Sequence, residues 1–430
     1  MARELLYGEL RLPKSRKEIR FGVRSQNHNL NPSEVGTMAV REQVYGFFIP
    51  SVTLIGIGAA KAVPEKIKAL GGTKPLIVTD KGVVKVGIAK QITDLLDAAG
   101  MKYHIYDETI PNPTDENVHK GVEVYKKEGC DSLITLGGGS SHDCGKGVGL
   151  CIANGGKIHD FEGVDKSSKP FMPYIAINTT AGTASEMTRF CIITDLSRHV
   201  KMAIVDWRVT PHIAIDDPVL MVGMPPALTA ATGMDALTHA VEAFVSTIAN
   251  PMTDACAIEA FKLIFKYLRK AVANGQDMEA REGMCFAEYL AGMAFNNASL
   301  GHVHAMAHQL GGFYDLPHGE CNAILLPHVE KYNLIAKVEK FAQMAEIMGE
   351  NTAGMAPRDA AELALKAIRQ LSADVGIPAG LIELGKRYGK DVKASDIPTM
   401  TGNAQKDACG FTNPRCPTDK DVAAIYTAAL

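Results

Sequence analysis

The chain has 430 residues, more than a single hydrophobic core usually serves, and this length predicts two domains of about 200 residues each. Its formal net charge of −3 creates no broad positive field, so a nucleic-acid partner is not expected. The sequence has neither a run of about 18 apolar residues nor a secretory leader pattern, so the protein is predicted to be cytoplasmic, without membrane insertion or secretion.

The amino-terminal segment differs from the rest of the chain. Residues 1–37 are basic and show little apolar periodicity, which predicts disorder. The globular pattern begins near Met38, so residues 1–37 are predicted to be either a disordered leader or a misassigned one that precedes the native start. Residues 45–50 are predicted to be the first strand, and the first domain is predicted to span residues 38–225.

Short β-rich runs alternate with amphipathic helical segments between residues 45 and 220. This alternation predicts an α/β domain with a mostly parallel sheet and helices on both faces. Helices are predicted at 85–99 and 115–128. Strands are predicted at 52–57, 76–79, 103–106, 132–136, 174–177 and 203–205.

A glycine loop follows the strand predicted at 132–136. Gly137, Gly138, Gly139 and Ser140 stand between this strand and a predicted helix, so backbone N–H groups at a helix N-terminus could bind a phosphate. Triple glycine is equally common in ordinary turns, and the loop is not the Gly-x-Gly-x-x-Gly fingerprint of dinucleotide folds. The residues alone leave both interpretations open.

A second polar loop follows the strand predicted at 174–177. The hydroxyls of Thr179, Thr180 and Thr183 suit contacts to phosphate or ribose, although a threonine that caps a helix would give the same pattern. Asp80 ends an earlier predicted strand, where a carboxylate can bind ribose hydroxyls and repel a 2′-phosphate. Its position favours NAD over NADP, although an aspartate before Lys-Gly is often only a turn former.

The double proline Pro225-Pro226 marks the predicted domain boundary, because proline continues neither a strand ladder nor a helix interior. Beyond it the chain is rich in Ala, Leu and Met at helical spacing, which predicts an all-helical second domain over residues 226–430. Helices are predicted at 228–245, 253–273, 278–295, 302–311, 336–348 and 356–375.

Candidate metal ligands occur in this second half. Asp235 and His239 are four residues apart in a helical segment, so both project from one face, and His304 and His308 share this spacing. His318, in a Pro-His-Gly sequence, is predicted to lie on a turn that folds back toward them. Imidazole and carboxylate donors suit a borderline divalent ion such as Fe²⁺ or Zn²⁺, whereas any one histidine alone is commonly packed or solvated.

The sequences Gly-Met-Asp-Ala-Leu-Thr-His-Ala at 233–240, His-Ala-Met-Ala-His-Gln-Leu-Gly-Gly at 304–312 and Pro-His-Gly at 317–319 closely resemble the iron-dependent (group III) alcohol dehydrogenases. Within that family the chain looks most like the NAD-dependent methanol and 1,3-propanediol enzymes. The resemblance extends over about residues 45–430. It implies a dehydroquinate synthase-like fold, in which an α/β NAD-binding domain precedes an all-α metal-binding domain.

The family resemblance also implies roles for particular residues. The implied metal ligands are Asp235, His239, His304 and His318. The implied catalytic residues are His308, a proton-relay candidate, with Asp143 and Lys146. The implied cofactor contacts are Asp80, Asn112, Gly137, Gly138, Gly139, Ser140, Asp143, Thr179, Thr180, Thr183 and Lys201. Two residues depart from the family pattern: His302 could bind metal in place of another ligand, and Glu320 could alter the charge near the site.

The activity that the resemblance implies is reversible hydride transfer between NAD and a short-chain primary alcohol, such as methanol, ethanol, propanol, butanol or 1,3-propanediol, to give the aldehyde. The implied metal is Fe²⁺, with Zn²⁺ or Mn²⁺ as alternatives. The implied assembly is a homo-oligomer, from a dimer to a decamer. The competing hypotheses are a zinc glycerol dehydrogenase-like enzyme, a metal-dependent hydrolase or lyase, and a structural subunit with a vestigial site.

Overall fold

The computed structural model describes residues 44–198 and 200–430, so the predictions for residues 1–37 lie outside the described residues. Phe48–Leu430 form one compact unit. The division of this unit into two domains at residue 225 stays a prediction. Within the part of the chain that the structure describes, no helix is long and apolar enough to cross a bilayer.

A parallel sheet occupies the first half of the compact unit. The strands are β1 (Val52–Ile55), β2 (Pro75–Asp80), β3 (His104–Thr109), β4 (Ser132–Gly137), β5 (Gly163–Val164), β6 (Tyr174–Asn178), β7 (Phe190–Asp195), β8 (Val200–Val205) and β9 (Ile213–Asp216). The main sheet has the order β1-β9-β6-β4-β2-β3 and all of its pairs are parallel. A smaller sheet has the order β5-β8-β7, and its β7–β8 pair is antiparallel.

Helices cover both faces of the main sheet. Those in the first half are α1 (Val63–Ala69), α2 (Lys81–Lys85), α3 (Ile88–Ala98), α4 (Asp115–Glu128) and α5 (Gly139–Asn154). Side chains of β2 alternate between the faces: Val78 belongs to one apolar cluster with Val148 of α5, and Ile77 belongs to another with Ile92 of α3. The predicted parallel sheet with helices on both faces is therefore confirmed.

The carboxyl ends of the parallel strands bring several polar residues to one edge. Asp80, Gly137, Asn178 and Asp216 are the last residues of β2, β4, β6 and β9. The glycine loop and the polar loop that carries Thr179, Thr180 and Thr183, here called the threonine loop, start from neighbouring strands. Strand β4 pairs with β6, and Gly137 aligns with Asn178. In open α/β sheets this edge is the usual place for a ligand.

Helices make up the second half. They are α6 (Pro226–Val245), α7 (Pro251–Ala273), α8 (Met278–Ala298), α9 (His302–Tyr314), α10 (His318–Asn333), α11 (Val338–Ile347), α12 (Pro357–Asp374), α13 (Leu381–Arg387), α14 (Ile397–Ala404) and α15 (Asp419–Ala429). Pro226 is the first residue of α6 and Pro225 its N-cap. The double proline therefore begins a helix, a position that proline favours because its missing N–H is not needed there.

Two local predictions are wrong. Residues 45–50 form no strand: the backbone N–H of Phe48 donates to Asn297 Oδ1, and its carbonyl accepts from the side-chain amide of Asn296. The strand predicted at 203–205 is confirmed as part of β8, which lies in the smaller sheet. His318 lies on no turn but is the first residue of α10, since Pro317 supplies the N-cap position.

Candidate active site

Three helices bring a carboxylate and two imidazoles together. Asp235 of α6, His304 of α9 and His318 of α10 each offer one donor atom, and these atoms lie within 4.8 Å of one another. Asp235 Oδ1 is 3.8 Å from His304 Nε2 and 3.7 Å from His318 Nε2. Donor atoms this close can share one divalent cation.

His239, the fourth candidate ligand, lies beside this group. Its ring stacks on that of His304 with the ring centroids 4.7 Å apart. Its Nδ1 donates to the carbonyl of Gly182 over 3.2 Å, which leaves Nε2 with its lone pair. Burial lowers the pKa of His239 to about 4 and that of His304 to about 3, so both imidazoles are neutral at physiological pH, as metal ligation requires.

The hydrogen bonding around these donors is incomplete in a way that fits a cation. The side-chain nitrogen of Asn322 lies 2.7 Å from Asp235 Oδ1 and 3.1 Å from Nε2 of both His304 and His318. An NH₂ group has two hydrogens and cannot satisfy three acceptors. Asn322 Oδ1 and His318 Nδ1 are buried without a hydrogen-bond partner among the described residues. The donor set therefore suits Fe²⁺ or a similar ion better than it suits hydrogen bonds alone.

His308 stands next to the same donors. Its ring stacks on that of His318 with the centroids 5.4 Å apart. Its Nδ1 lies 2.8 Å from Asp407 Oδ2, and because a carboxylate only accepts, the ring donates from Nδ1. The backbone N–H of Cys409 donates to the other oxygen of Asp407 and fixes the carboxylate. The Nε2 atom of His308 is thus left as a proton acceptor.

The glycine loop and the threonine loop pack tightly against each other. A Cβ on Gly138 would lie 3.0 Å from Thr180 Cγ2, and one on Gly139 would lie 3.0 Å from Thr183 Cγ2. The Thr179 N–H donates to the carbonyl of Gly137 over 3.1 Å. Among the described residues no side chain caps the N-terminus of α5, so its first N–H groups are available to an anion, and this cradle fits a pyrophosphate.

Asp80 lies beside the glycine loop. Its Oδ2 accepts from Ser141 Oγ over 3.3 Å, and its Oδ1 accepts from the N–H of Val83, so it also caps α2. Asp80 caps α2, as a turn-forming aspartate would, and it also faces the glycine loop, as a ribose-binding carboxylate would. Its position is therefore compatible with both predicted roles.

Two further predicted contacts, Asn112 and Lys201, form a pair. Lys201 Nζ donates to Asn112 Oδ1 over 2.9 Å. Asn112 has a φ of 53°, a left-handed conformation that Asn adopts more readily than most residues. Burial lowers the pKa of Lys201.

Asp143 and Lys146, both predicted to be catalytic, differ in their surroundings. Asp143 accepts from Ser185 Oγ over 2.8 Å, and burial raises its pKa to about 6. Lys146 Nζ donates to the carbonyls of Ser185 and Phe190 over 2.6 and 2.7 Å, and it is fully buried. Its ammonium group is already held by backbone oxygens. Lys146 is therefore better placed to fix the segment from Ser185 to Phe190 than to react with a substrate.

One cavity is lined by residues of both groups. Its empty space, which includes open solvent, is about 880 Å³. On one side it is lined by Gly139, Ser140, Asp143 and Thr183, and on the other by Asp235, His239, His304, His308 and His318. Asn112 and Lys201 also line it. The sheet-edge loops and the helical donors thus face one space.

Family models match both halves of the chain. One, for iron-containing alcohol dehydrogenase, matches residues 50–218, and another, for the C-terminal part of the Fe-containing alcohol dehydrogenase family, matches residues 229–430. The chain belongs to the iron-containing alcohol dehydrogenase family. The resemblance and the fold class predicted from the sequence are therefore confirmed.

Individual alcohol dehydrogenases of known name are close in sequence. The chain is 52% identical over 390 residues to 1,3-propanediol dehydrogenase of Citrobacter freundii, with 90% of this chain and 99% of that enzyme covered. It is 50% identical over 384 residues to NAD-dependent methanol dehydrogenase of Bacillus methanolicus, with 89% and 99% covered. A crystal structure of 1,3-propanediol oxidoreductase superposes with a TM-score of 0.88 at 51% identity, covering 90% of this chain and all of that one.

The two departures from the pattern of iron-containing alcohol dehydrogenases contact other residues of the helical half. The His302 ring packs against Gly410, where a Cβ would lie 2.8 Å from it. Glu320 accepts from Arg387 Nη1 over 3.0 Å and from the Tyr388 hydroxyl over 2.7 Å. Neither residue belongs to the group of close donor atoms formed by Asp235, His304 and His318.

Sequence reasoning missed three residues of this site in the dehydrogenase. Glu242 accepts from His304 Nδ1 over 2.5 Å, and it follows Asp235 by two helical turns on the same face of α6. Asn322 follows His318 by one turn on α10, so both could have been found by helical spacing. Asp407 had no such signal, because 99 residues separate it from His308.

Proposed function

We propose that the protein transfers a hydride between a short-chain primary alcohol and NAD, using Fe²⁺ held by Asp235, His239, His304 and His318. The observation that supports this proposal is the single cavity shared by the imidazole and carboxylate donors and the two sheet-edge loops. The protein is an NAD-dependent alcohol dehydrogenase, and it uses NAD and Fe²⁺ as its cofactors.

The helical half of the site provides the metal ligands. When bound, Fe²⁺ supplies the Lewis acidity that lowers the pKa of an alcohol hydroxyl toward neutrality. Asp235 would add one negative charge to three neutral imidazoles, so this ligand set would leave a bound divalent ion with a net positive charge. Glu242 orients His304 through Nδ1, so that Nε2 faces the shared donor group.

The α/β half binds and orients NAD, which supplies the hydride acceptor. The bare N-terminus of α5 binds the pyrophosphate, and Asp80 binds the adenosine ribose and excludes a 2′-phosphate. Thr179, Thr180 and Thr183, with Asp143, would hold the nicotinamide end. The contribution of these residues is to orient two reactants and to exclude water.

His308 moves the proton that alcohol oxidation releases. The Nδ1–H bond to Asp407 fixes the tautomer, so Nε2 accepts the proton from the cavity side. The positive imidazolium that results is stabilised by the Asp407 carboxylate 2.8 Å away.

The apolar part of the cavity wall supports the proposed substrate class. Phe190, Ile192, Phe295 and Leu300 line the cavity near the histidines. These side chains suit a short alkyl chain, and the similar proteins are named for methanol and 1,3-propanediol. We infer that small unbranched alcohols or 1,3-propanediol, with their aldehydes, are the substrates.

The assembly and location are further parts of this proposal. We propose a cytoplasmic homo-oligomer, from a dimer to a decamer, in which each chain has two domains that meet near residue 225. Light scattering coupled to size-exclusion chromatography of the metal-loaded protein measures the assembly.

The competing hypotheses have no support from the comparisons. Both matched family models are those of alcohol dehydrogenases, whereas a hydrolase or lyase has no use for a nicotinamide site. A zinc glycerol dehydrogenase differs in ligand set from one aspartate with three histidines.

The test is NADH formation by protein stripped of metal and reloaded separately with Fe²⁺, Zn²⁺, Mn²⁺ or Mg²⁺. The substrates are the alcohols from methanol to butanol, with 1,3-propanediol and glycerol. His304→Ala should abolish metal-dependent turnover, whereas His328→Ala, a change on α10 outside the donor group, should not. Metal binding without turnover of any substrate would contradict the proposal.

A further inference from the structure

The side chain of Asn322 contacts all three clustered metal donors. It is completely buried on α10, and its Nδ2 lies 2.7 Å from Asp235 Oδ1. The same nitrogen lies 3.1 Å from Nε2 of His304 and 3.1 Å from Nε2 of His318. A single NH₂ group, with only two hydrogens, thus lies within hydrogen-bond distance of metal-ligand atoms on three different helices.

Close packing fixes this position of the amide. A Cβ on Gly319 would lie 2.3 Å from the carbonyl oxygen of Ala231, so α10 and α6 approach as closely as their backbones allow. One turn farther along each helix, Asn322 meets Asp235. The amide is therefore placed by the helix contact and not by a flexible loop.

The contacts of Asn322 and those of a metal ion need the same electron pairs. A neutral imidazole nitrogen has one lone pair, so Nε2 of His304 or His318 cannot accept an N–H and bind a cation together. Asp235 has further lone pairs and can do both. Asn322 Oδ1 has no partner among the described residues, so moving the amide breaks no bond to that oxygen.

We propose that Asn322 competes with the metal ion for the donor atoms of His304 and His318. In protein without metal, the amide keeps the three helices and their donors together. Metal binding displaces any N–H group that bonds to either imidazole, so the amide weakens metal affinity and makes the ion easier to exchange. This inference rests on the metal site of the proposed function.

The test measures Co²⁺ binding, which needs no turnover. The Co²⁺ dissociation constant is determined by competition with a chelating dye, and the visible Co²⁺ spectrum reports the ligand geometry. Asn322→Leu and Asn322→Ala should both bind Co²⁺ at least tenfold more tightly than the unaltered protein and release it more slowly to excess chelator. Their midpoint of thermal unfolding should fall more without metal than with Co²⁺.

The matched control is Asn333→Ala, which removes another fully buried asparagine of α10 that bonds to Asn413 and not to the donors. It should lower stability equally with and without metal and leave the Co²⁺ dissociation constant unchanged. Unchanged or weaker Co²⁺ binding by both Asn322 variants would overturn the competition. Failure of the unaltered protein to bind Co²⁺ would instead overturn the proposed metal site itself.

Discussion

The carboxylate of Glu242 and the imidazole of His304 share a hydrogen bond of 2.5 Å inside the helical half of the molecule. The second carboxylate oxygen accepts from the N–H of Val303 over 2.7 Å, so Glu242 is fixed by the first turn of α9. One helix, α6, therefore supplies two candidate ligands, Asp235 and His239, and also the group that orients a third.

Removal of the Glu242 charge should weaken metal binding. Glu242→Gln is expected to raise the Fe²⁺ dissociation constant by roughly 10- to 100-fold, the usual cost of losing a partner of a ligating histidine. Anaerobic titration measures the constant. Glu330→Gln, a fully buried glutamate on α10 that bonds to Asn333, is the matched control and should have little effect. Equal weakening by both variants would contradict the orienting role.

The bond between Asp407 and His308 should support turnover and not metal binding. Asp407→Asn removes the charge that stabilises a protonated His308, so kcat is expected to fall by about 10²-fold, the lower end of general acid–base effects. The metal dissociation constant should stay the same. Steady-state kinetics with propan-1-ol and metal analysis check both values. A parallel loss of metal would mean that Asp407 acts on the donors themselves.

The glycine loop packs closely against the threonine loop, so one methyl group added between them should weaken cofactor binding. Gly138→Ala places a Cβ 3.0 Å from Thr180 Cγ2, so Thr180 must move. We expect the NADH dissociation constant to rise about fivefold or more, equivalent to about 1 kcal/mol. Gly402→Ala, where a Cβ meets no atom within 4 Å, is the control. The NADH dissociation constants are measured by fluorescence titration. Equal constants for both variants would contradict the role of the glycine loop in cofactor binding.

Asp80 should decide between NAD and NADP. Asp80→Ser removes the negative charge but keeps an oxygen that can cap α2. The KM for NADP⁺ is expected to fall at least tenfold while the KM for NAD⁺ rises. Asp277→Ser, a change at the cap of α8, controls for the loss of a helix cap. An unchanged preference for NAD⁺ would show that another residue selects the cofactor.

Three buried carboxyl groups should make stability depend on pH. Burial raises the pKa of Asp216 to about 7, and the pKa values of Glu186 and Glu288 are also raised. Because the native state holds these protons more tightly, their contribution to the free energy of unfolding is full below about pH 4 and is lost as pH rises toward 7. Urea unfolding between pH 5 and pH 8 should show this decline.

Two variants test the origin of this decline. Asp216→Asn keeps the bonding geometry near Asn178 and should make the decline shallower. Asp391→Asn, with a side chain 80% exposed, should leave the decline as it is in the unaltered protein. If the free energy of unfolding depends on pH identically in all three proteins, the buried carboxyl groups are not the cause of the decline.

Elements with strong local signals could be predicted from the sequence. The helix predicted at 115–128 matches α4, which Thr114 and Asn117 begin with a capping box. The spacing of Asp235 and His239 correctly placed both on one helix, since four residues make one turn.

Other parts depend on contacts between distant residues. Strand β9 was missed because it has only four residues, all buried, and pairs with β1 and β6 from earlier in the chain. The partner of His308 was missed because Asp407 reaches it only after the chain has passed through five more helices, α10 to α14. His318 was misplaced because Pro-His-Gly suits a turn as well as a helix start.

The most direct test of the proposed hydride transfer follows deuterium from the alcohol to the cofactor. Fe²⁺-loaded protein is incubated with [1,1-²H₂]propan-1-ol and NAD⁺, and the nicotinamide product is examined by mass spectrometry and NMR. Metal-dependent hydride transfer should place one deuterium in each reduced cofactor, and formation of this product should require the metal and be lost in His304→Ala. Reduced cofactor without deuterium, or equal deuterium transfer by metal-free protein, would contradict a metal-dependent hydride transfer.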